Sequence, residues 1–183
     1  MPRKKTAVAS PSPDDHSDDL LKELLSISKK QKGDISKYSS LLNDSIYAKI
    51  DEHISTGSHS LNKLITGSVH NGIPRGRVVG FSGDPSTGKS YICGQIMKNA
   101  QDMGYLVLFY DTEQTPNEEF LSRIGCDTSK ILRFEADIIE DFRNHAINTT
   151  KAFLDKNPDQ KILIVLDSYA NLSCSWEQSC SMD

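Results

Sequence analysis

Residues 83–90 match the pattern Gly-x-x-x-x-Gly-Lys-Ser/Thr at every fixed position, and we call them the phosphate loop. The two glycines let the backbone curl so that its N–H groups form a cradle for anions at the start of a helix. Lys89 adds a positive charge for the β- and γ-phosphates, and the Ser90 hydroxyl can ligate Mg²⁺. We therefore predict a site for a nucleoside triphosphate, ATP with Mg²⁺; the alternative is a glycine-rich turn without a ligand. The predicted binding residues are Gly83, Asp84, Pro85, Ser86, Thr87, Gly88, Lys89 and Ser90.

Two carboxylates follow apolar segments elsewhere in the chain. Asp167 ends the run 162–166 in the manner of a Walker B segment, which holds the metal directly or through water. Aspartate also starts turns well, so a purely structural role is the alternative. Glu113 comes just after the run 105–110, and ligands of open α/β sheets lie beyond the carboxyl ends of strands. Glu113 is therefore a candidate to polarise the attacking water.

The elements that position these residues alternate between strand and helix patterns. Strands are predicted at 77–82, 105–110, 131–134 and 162–166, and continuous apolar runs are typical of parallel strands covered on both faces. Helices are predicted from about Gly88, at 116–124 and at 139–153. This alternation predicts an α/β domain with a largely parallel sheet.

The chain divides into four parts by composition. Residues 1–19 combine a basic cluster, two Ser-Pro pairs and four aspartates, which predicts a disordered tail. Residues 20–52 form a helical and linker segment, whose helix spans 18–30 and docks either on its own domain or on a neighbouring subunit. Residues 53–172 form the nucleotide-binding core, and residues 173–183 form a tail without helical or strand periodicity.

Composition limits the kind of protein. A formal net charge of −4 argues against a protein that coats DNA by global attraction. The sequence has no apolar run of membrane-spanning length and no signal peptide, so we expect a soluble, intracellular protein without a membrane partner. The four cysteines are expected to be reduced, and the five scattered histidines suggest no metal site.

Five stretches, in the same order, resemble the RecA family of recombinases and within it the phage UvsX-like branch. The stretches include the motifs described above and two further segments before the phosphate loop. The resemblance covers about residues 53–172. It implies a RecA-like P-loop NTPase core, incomplete at its C-terminus and preceded by the tail and the short helix. The stretches are 54–62, 72–77, the phosphate loop, 109–113 and 165–168.

The resemblance implies a DNA-dependent ATPase that forms filaments on single-stranded DNA and exchanges strands in homologous recombination and repair. Glu113 matches the catalytic glutamate of the family, and Lys89 assists it at the phosphates. Phe120 falls where the family carries an aromatic against the adenine; the family has Tyr there and Asp three residues earlier, in place of Asn117. The alternative is that Phe120 is a core residue of its helix. The expected location is the cytoplasm of a bacterium or a phage-infected cell.

The resemblance fails after Asp167, where only residues 168–183 remain. In the family, the DNA-binding loops, the γ-phosphate sensor and one central strand come after this point. We therefore expect the N-terminal portion of a truncated or frame-shifted recombinase. The alternatives are another RecA-fold ATPase (a replicative helicase or a clock-type ATPase) and an ATP-binding module without turnover. Trp176 is read as incidental in this tail, rather than as a base-stacking residue.

Overall fold

A computed structural model describes residues 13–30, 40–41, 49–113 and 118–180. The chain falls into two units, residues 1–50 and 51–183. In the first unit, helix α1 spans Pro13–Lys30. It begins five residues before the predicted start, so residues 13–19 of the predicted tail are helical, while residues 1–12 lie outside the described residues. A proline in the first turn with several acids after it suits a helix start.

The second unit alternates strands and helices over its whole described length. Its largest feature is a parallel sheet of three strands in the order β4-β3-β5, and a two-stranded antiparallel ribbon joins β1 to β2. This confirms the predicted α/β class with a parallel sheet. In chain order the elements are β1 His53–Ile54, α2 His59–Thr66, β2 Ile73–Pro74, α3 Lys89–Asp102, β3 Leu106–Asp111, α4 Glu118–Ile124, β4 Ile131–Glu135, α5 Ile139–Leu154, β5 Ile162–Asp167 and α6 Ser175–Cys180.

The register of the sheet brings three acidic strand ends to one edge. Strand β3 lies in the centre, and its last residue, Asp111, is opposite Glu135 of β4 and Asp167 of β5. Because all three strands run in the same direction, the segments that follow them leave from the same side. The sequence pattern alone does not reveal this alignment, which depends on register.

Helices cover both faces of β3. On one face, Val107 and Phe109 pack with Met97 of α3 and Leu121 of α4. On the other face, α5 packs on Leu108 and Tyr110. The strand is buried from Val107 to Asp111, as its continuous apolar sequence predicts.

Residues 77–82 form no strand, so the prediction of a strand there is wrong. An extended segment becomes a strand only when a neighbour accepts and donates its backbone hydrogen bonds. Within the described residues, the parallel sheet ends at β5, and no strand lies beside 77–82. Val78 is fully exposed in consequence, while Phe81 packs partly against the cluster around Ile96.

The segment after β5 crosses to the start of α5. Ser173 donates its N–H to the Asp137 carbonyl, and Ile139 donates to the Ser173 carbonyl, both at 2.9 Å. The six-residue helix α6 follows, where the sequence shows no helical periodicity. Glu177 caps its first turn by accepting from the Cys174 N–H at 3.3 Å, so local capping starts a helix too short to show an apolar stripe.

No helix in the described ranges is both long enough and apolar enough to cross a bilayer.

Candidate nucleotide-binding site

The phosphate loop curls tightly before α3 begins at Lys89. Gly88 has φ 90°, in the left-handed region that favours glycine, and Ser86 adopts φ 61°. A Cβ on Gly83 would lie 3.2 Å from the Thr87 hydroxyl, which is closer than an ordinary contact. The left-handed conformation explains glycine at position 88, and a Cβ at position 83 would press on the Thr87 side chain.

Hydrogen bonds within the loop hold its side chains. The Thr87 hydroxyl donates to the Asp84 carbonyl at 2.8 Å. The Lys89 ammonium donates to the carbonyls of Gly83 and Asp84, each at 2.9 Å. The ammonium therefore lies over the loop, at the same end as the N-terminus of α3. The ammonium and the N-terminus of α3 both favour a negatively charged group at the phosphate loop.

Asp167 lies beside the first turns of α3. It is 7% exposed, and its negative charge, together with the larger effect of burial, raises the pKa of the Cys93 thiol to about 11. Cys93 follows Ser90 by one turn of α3. The charge of Asp167 therefore acts on the helix that also carries Ser90, the other residue predicted to hold Mg²⁺.

The donor set around the loop fits a magnesium–phosphate ligand. Among the described residues, no group of three or more His, Cys, Asp and Glu side chains could hold a metal by itself. Mg²⁺ in phosphate sites keeps several waters and uses one or two protein ligands together with substrate phosphates. One hydroxyl and one carboxylate, next to a loop of amides, are the protein groups such an ion requires.

Glu113 is positioned by the acid two residues before it. The buried Asp111 carboxylate accepts the Glu113 N–H through Oδ1 at 3.0 Å. Its Oδ2 atom accepts from Arg133 of β4, at 3.0 Å from Nε and 2.8 Å from Nη2. The Glu113 side chain itself is exposed. The candidate water-activating group therefore leaves β3 from a fixed backbone position.

Thr112 links the ends of β3 and β5. Its N–H donates to the Asp167 carbonyl at 2.9 Å. Its hydroxyl donates to the Ser168 carbonyl at 2.8 Å and accepts the Ser168 N–H at 2.8 Å. The sequence analysis did not select Thr112, Arg133 or Ser168. For Thr112 and Ser168 a signal was available, because each is a hydroxyl residue directly after the aspartate that ends a strand.

Phe120 lies in α4 and is half-buried against the cluster that contains Met97 and Val107. This packing is what a core residue of α4 would show. Asn117, the other residue of the adenine comparison, lies outside the described residues. Contact of Phe120 with adenine stays a prediction.

Comparison with known families shows where this arrangement belongs. The family described as "RecA N-terminal domain" matches residues 20–183, which is most of the chain. The chain belongs to the RecA family. The match includes the phosphate loop and the ends of β3 and β5, so the elements that carry the site are those of the RecA domain.

Individual RecA relatives align with part of the chain. Protein RecA of Arthrobacter sp. (strain FB24) is 35% identical over 96 residues, which cover 52% of this chain and 26% of the relative. Protein RecA of Roseiflexus sp. (strain RS-1) is 31% identical over 121 residues, 66% of this chain and 32% of the relative. The chain thus spans about a third or less of the RecA proteins it matches.

These relatives bear on the predicted resemblance at two levels. They confirm the relationship to RecA, which the five stretches predicted. The narrower relationship to the phage UvsX-like branch stays a prediction, as do the roles of the individual site residues.

Proposed function

We propose that this chain binds ATP with Mg²⁺ at the phosphate loop. The single observation that carries the proposal is the loop geometry: left-handed Gly88 at the start of α3, with the Lys89 ammonium lying over the loop carbonyls. A triphosphate can replace those carbonyls as the partner of Lys89. The helix N-terminus favours the same anionic ligand.

The ends of β3 and β5 supply the remaining roles. Ser90 and Asp167 are proposed to hold Mg²⁺, which neutralises charge on the β- and γ-phosphates when it is bound. Glu113 is proposed to orient the attacking water and accept its proton. Phe120 is proposed to lie against the adenine, with Phe instead of Tyr at this position.

Membership of the RecA family supports the wider proposal. The protein acts in homologous recombination and DNA repair as a DNA-dependent ATPase that forms filaments on single-stranded DNA and exchanges strands. Since the chain spans only part of its relatives, these activities are proposed for the protein to which this sequence belongs. A phage UvsX-like member, in the cytoplasm of an infected cell, is the narrower form of the proposal.

Nucleotide titration tests the binding step. We expect a fluorescent ATP analogue with Mg²⁺ to bind the wild-type chain and to bind Lys89→Ala at least about tenfold more weakly, because the variant loses a charge-assisted contact to phosphate. Lys98→Ala, on the same helix but paired with Asp102, is the matched control and should bind normally. Equal affinity of the wild type and Lys89→Ala would refute the proposal.

Turnover on single-stranded DNA tests the enzymatic step. Glu113→Gln should bind nucleotide normally and lose hydrolysis, whereas Glu119→Gln, an exposed acid paired with Arg123, should keep it. Electron microscopy of the same samples tests for filaments. Binding without any Glu113-dependent turnover would leave an ATP-binding module, and directional unwinding of a fork would point to a helicase.

A further inference from the structure

The ends of β3 and β5 are joined by a contact that uses both backbone polar groups of one residue, Ser168. The Thr112 hydroxyl donates to the carbonyl of Ser168 and accepts its N–H, each at 2.8 Å. One hydroxyl can do both because it has one proton and two lone pairs. Because the hydroxyl holds both the N–H and the carbonyl of Ser168, this contact fixes the backbone of Ser168 relative to Thr112.

The two residues that Thr112 joins lie next to the two carboxylates of the proposed site. Glu113 follows Thr112 directly, and Asp167 precedes Ser168 directly. The Thr112 N–H also donates to the Asp167 carbonyl at 2.9 Å, and this bond closes the β3–β5 ladder at the pair of Asp111 with Asp167. A shift of either strand end is therefore passed to the other.

We propose that Thr112 is a positioning residue that sets the separation between Glu113 and Asp167. The inference rests on the proposed function, in which Glu113 orients water and Asp167 faces Mg²⁺. Thr112 touches neither the nucleotide nor the metal in this scheme. It acts by holding the two strand ends in one register at the place where chemistry requires a fixed distance.

The rest of the sheet allows this role to be separated from folding. Strands β3 and β5 pair over six residues, from Leu106 with Ile162 to Asp111 with Asp167, and this ladder does not use the Thr112 side chain. Asp111 is held from the other side by Arg133. Removal of the hydroxyl is therefore expected to loosen the strand ends and leave the sheet paired.

Magnesium-dependent nucleotide binding is the first test. A fluorescent ATP analogue is titrated into the full chain with Mg²⁺ and with EDTA, for wild type, Thr112→Val and Thr112→Ser. Valine has the shape of threonine without the hydroxyl, and serine keeps the hydroxyl. We expect Thr112→Val to match the wild type in EDTA and to lose most of the gain from Mg²⁺, and Thr112→Ser to recover it. Thr149→Val on α5 is the control.

Turnover gives a second reading. Misplacement of a reacting group by about 1 Å can cost on the order of a hundredfold in rate, so kcat of Thr112→Val should fall at least about tenfold. KM for ATP at saturating Mg²⁺ should rise with the lost Mg²⁺-dependent affinity, while binding in EDTA stays near that of the wild type because the phosphate loop is unchanged. If Thr112 only stabilised the fold, Thr112→Val would lower the fraction of active protein. Thr112→Ser would then not restore kcat selectively.

The outcomes separate this inference from the function on which it rests. If Lys89→Ala binds nucleotide as well as the wild type does, the proposed function fails. If Lys89 behaves as proposed while Thr112→Val keeps the full gain from Mg²⁺, the role of Thr112 is overturned. Should Thr112→Val fail to fold, amide hydrogen exchange of the wild type decides: exchange at Ser168 as fast as at the exposed Ala170 overturns the inference.

Discussion

Arg133 on β4 holds the buried carboxylate of Asp111 on β3 through two nitrogens, at 3.0 Å and 2.8 Å from the same oxygen. The other oxygen of Asp111 accepts the Glu113 N–H. The Arg133 cation on β4 therefore holds Asp111 at the end of β3, and Asp111 in turn holds the backbone of Glu113. The pair satisfies a charge that would be costly to bury alone.

The Arg133–Asp111 pair is expected to contribute measurably to stability. Arg133→Gln removes the guanidinium that lies against the Asp111 side chain, which is 0% exposed. Arg133 is itself 46% exposed, so water reduces the loss, and we expect about 1–3 kcal/mol less free energy of unfolding. Urea unfolding of both proteins measures the difference.

Arg123→Gln is the matched control for this prediction. Arg123 pairs with Glu119 on the surface of α4, with side chains 77% and 69% exposed. Such pairs contribute little, roughly 0.5 kcal/mol or less. Equal losses in the two variants would contradict the importance assigned to the buried acceptor.

Gly88→Ala is expected to weaken nucleotide binding. Its φ of 90° is unfavourable for any residue with a Cβ, and relaxation of that strain changes the direction of the amides at the start of α3. Gly104→Ala is the control, since Gly104 also has positive φ (79°) but lies after the far end of α3. Both variants should lose about 1 kcal/mol of stability, and only Gly88→Ala should lose affinity in the same titration.

Cys93 is expected to react slowly with iodoacetamide near neutral pH. Burial, and secondly the charge of Asp167, raise the pKa of its thiol to about 11. The thiolate is the nucleophile, so the rate should rise with pH up to about that value. Mass spectrometry distinguishes Cys93 from the exposed Cys180 on α6, which should be modified first at pH 8.

Asp167→Asn provides the internal check on Cys93. Removal of the negative charge should lower the pKa of the thiol and increase its rate at a given pH, while burial keeps the rate below that of Cys180. An unchanged rate profile would mean that Asp167 does not lie close to the first turns of α3.

Glu52 is expected to make stability depend on acid pH. Hydrogen bonds from Lys161 and then Tyr105, at 2.6 Å and 2.5 Å, hold the pKa of Glu52 below its ordinary value of 4.5. A carboxyl with a lowered pKa in the folded state stabilises the protein above its unfolded pKa, and this stabilisation is lost as pH falls through the folded value. Glu52→Gln should therefore be less stable than wild type at pH 7, with a difference that shrinks below pH 4.5.

Thermal unfolding of the two proteins across this range measures the effect. Asp51→Asn, which changes an exposed neighbour, should shift the melting temperature little at any pH. A Glu52→Gln deficit that stays constant from pH 7 to the acid range would argue against the ion pair with Lys161.

The parts of the fold that were predicted correctly are those whose signal is local. The apolar runs of β3 and β5 predict parallel strands, and the spacing from Ile139 to Phe153 predicts α5. The predicted burial holds for β3, whereas β5 is only partly buried and Ile164 is exposed. Residues 77–82 also carry apolar side chains, at Val78, Val79 and Phe81, and form no strand. Pairing depends on a neighbour, and a single segment does not specify one.

The site divides in the same way. The phosphate loop was recognised because its glycines, lysine and hydroxyl are consecutive in the chain. The links that join strands were missed, because Arg133 meets Asp111 and Thr112 meets Ser168 only through the register of the sheet. Long-range hydrogen bonds between ordinary residue types leave no pattern in one sequence. The catalytic and adenine-binding roles of Glu113 and Phe120 stay predictions.

Residues 78–82 belong to no strand of the described sheets, so the two ends of the phosphate loop are supported differently. The end that leads into α3 is continuous with a fourteen-residue helix, whereas the end that leads in from Val79 has no strand beside it among the described residues. A triphosphate would meet helical amides on one side of the loop and, on the other, a segment that no sheet pairing holds. A strand that paired with 78–82 would hold this side as well, and should tighten nucleotide affinity without touching the nucleotide.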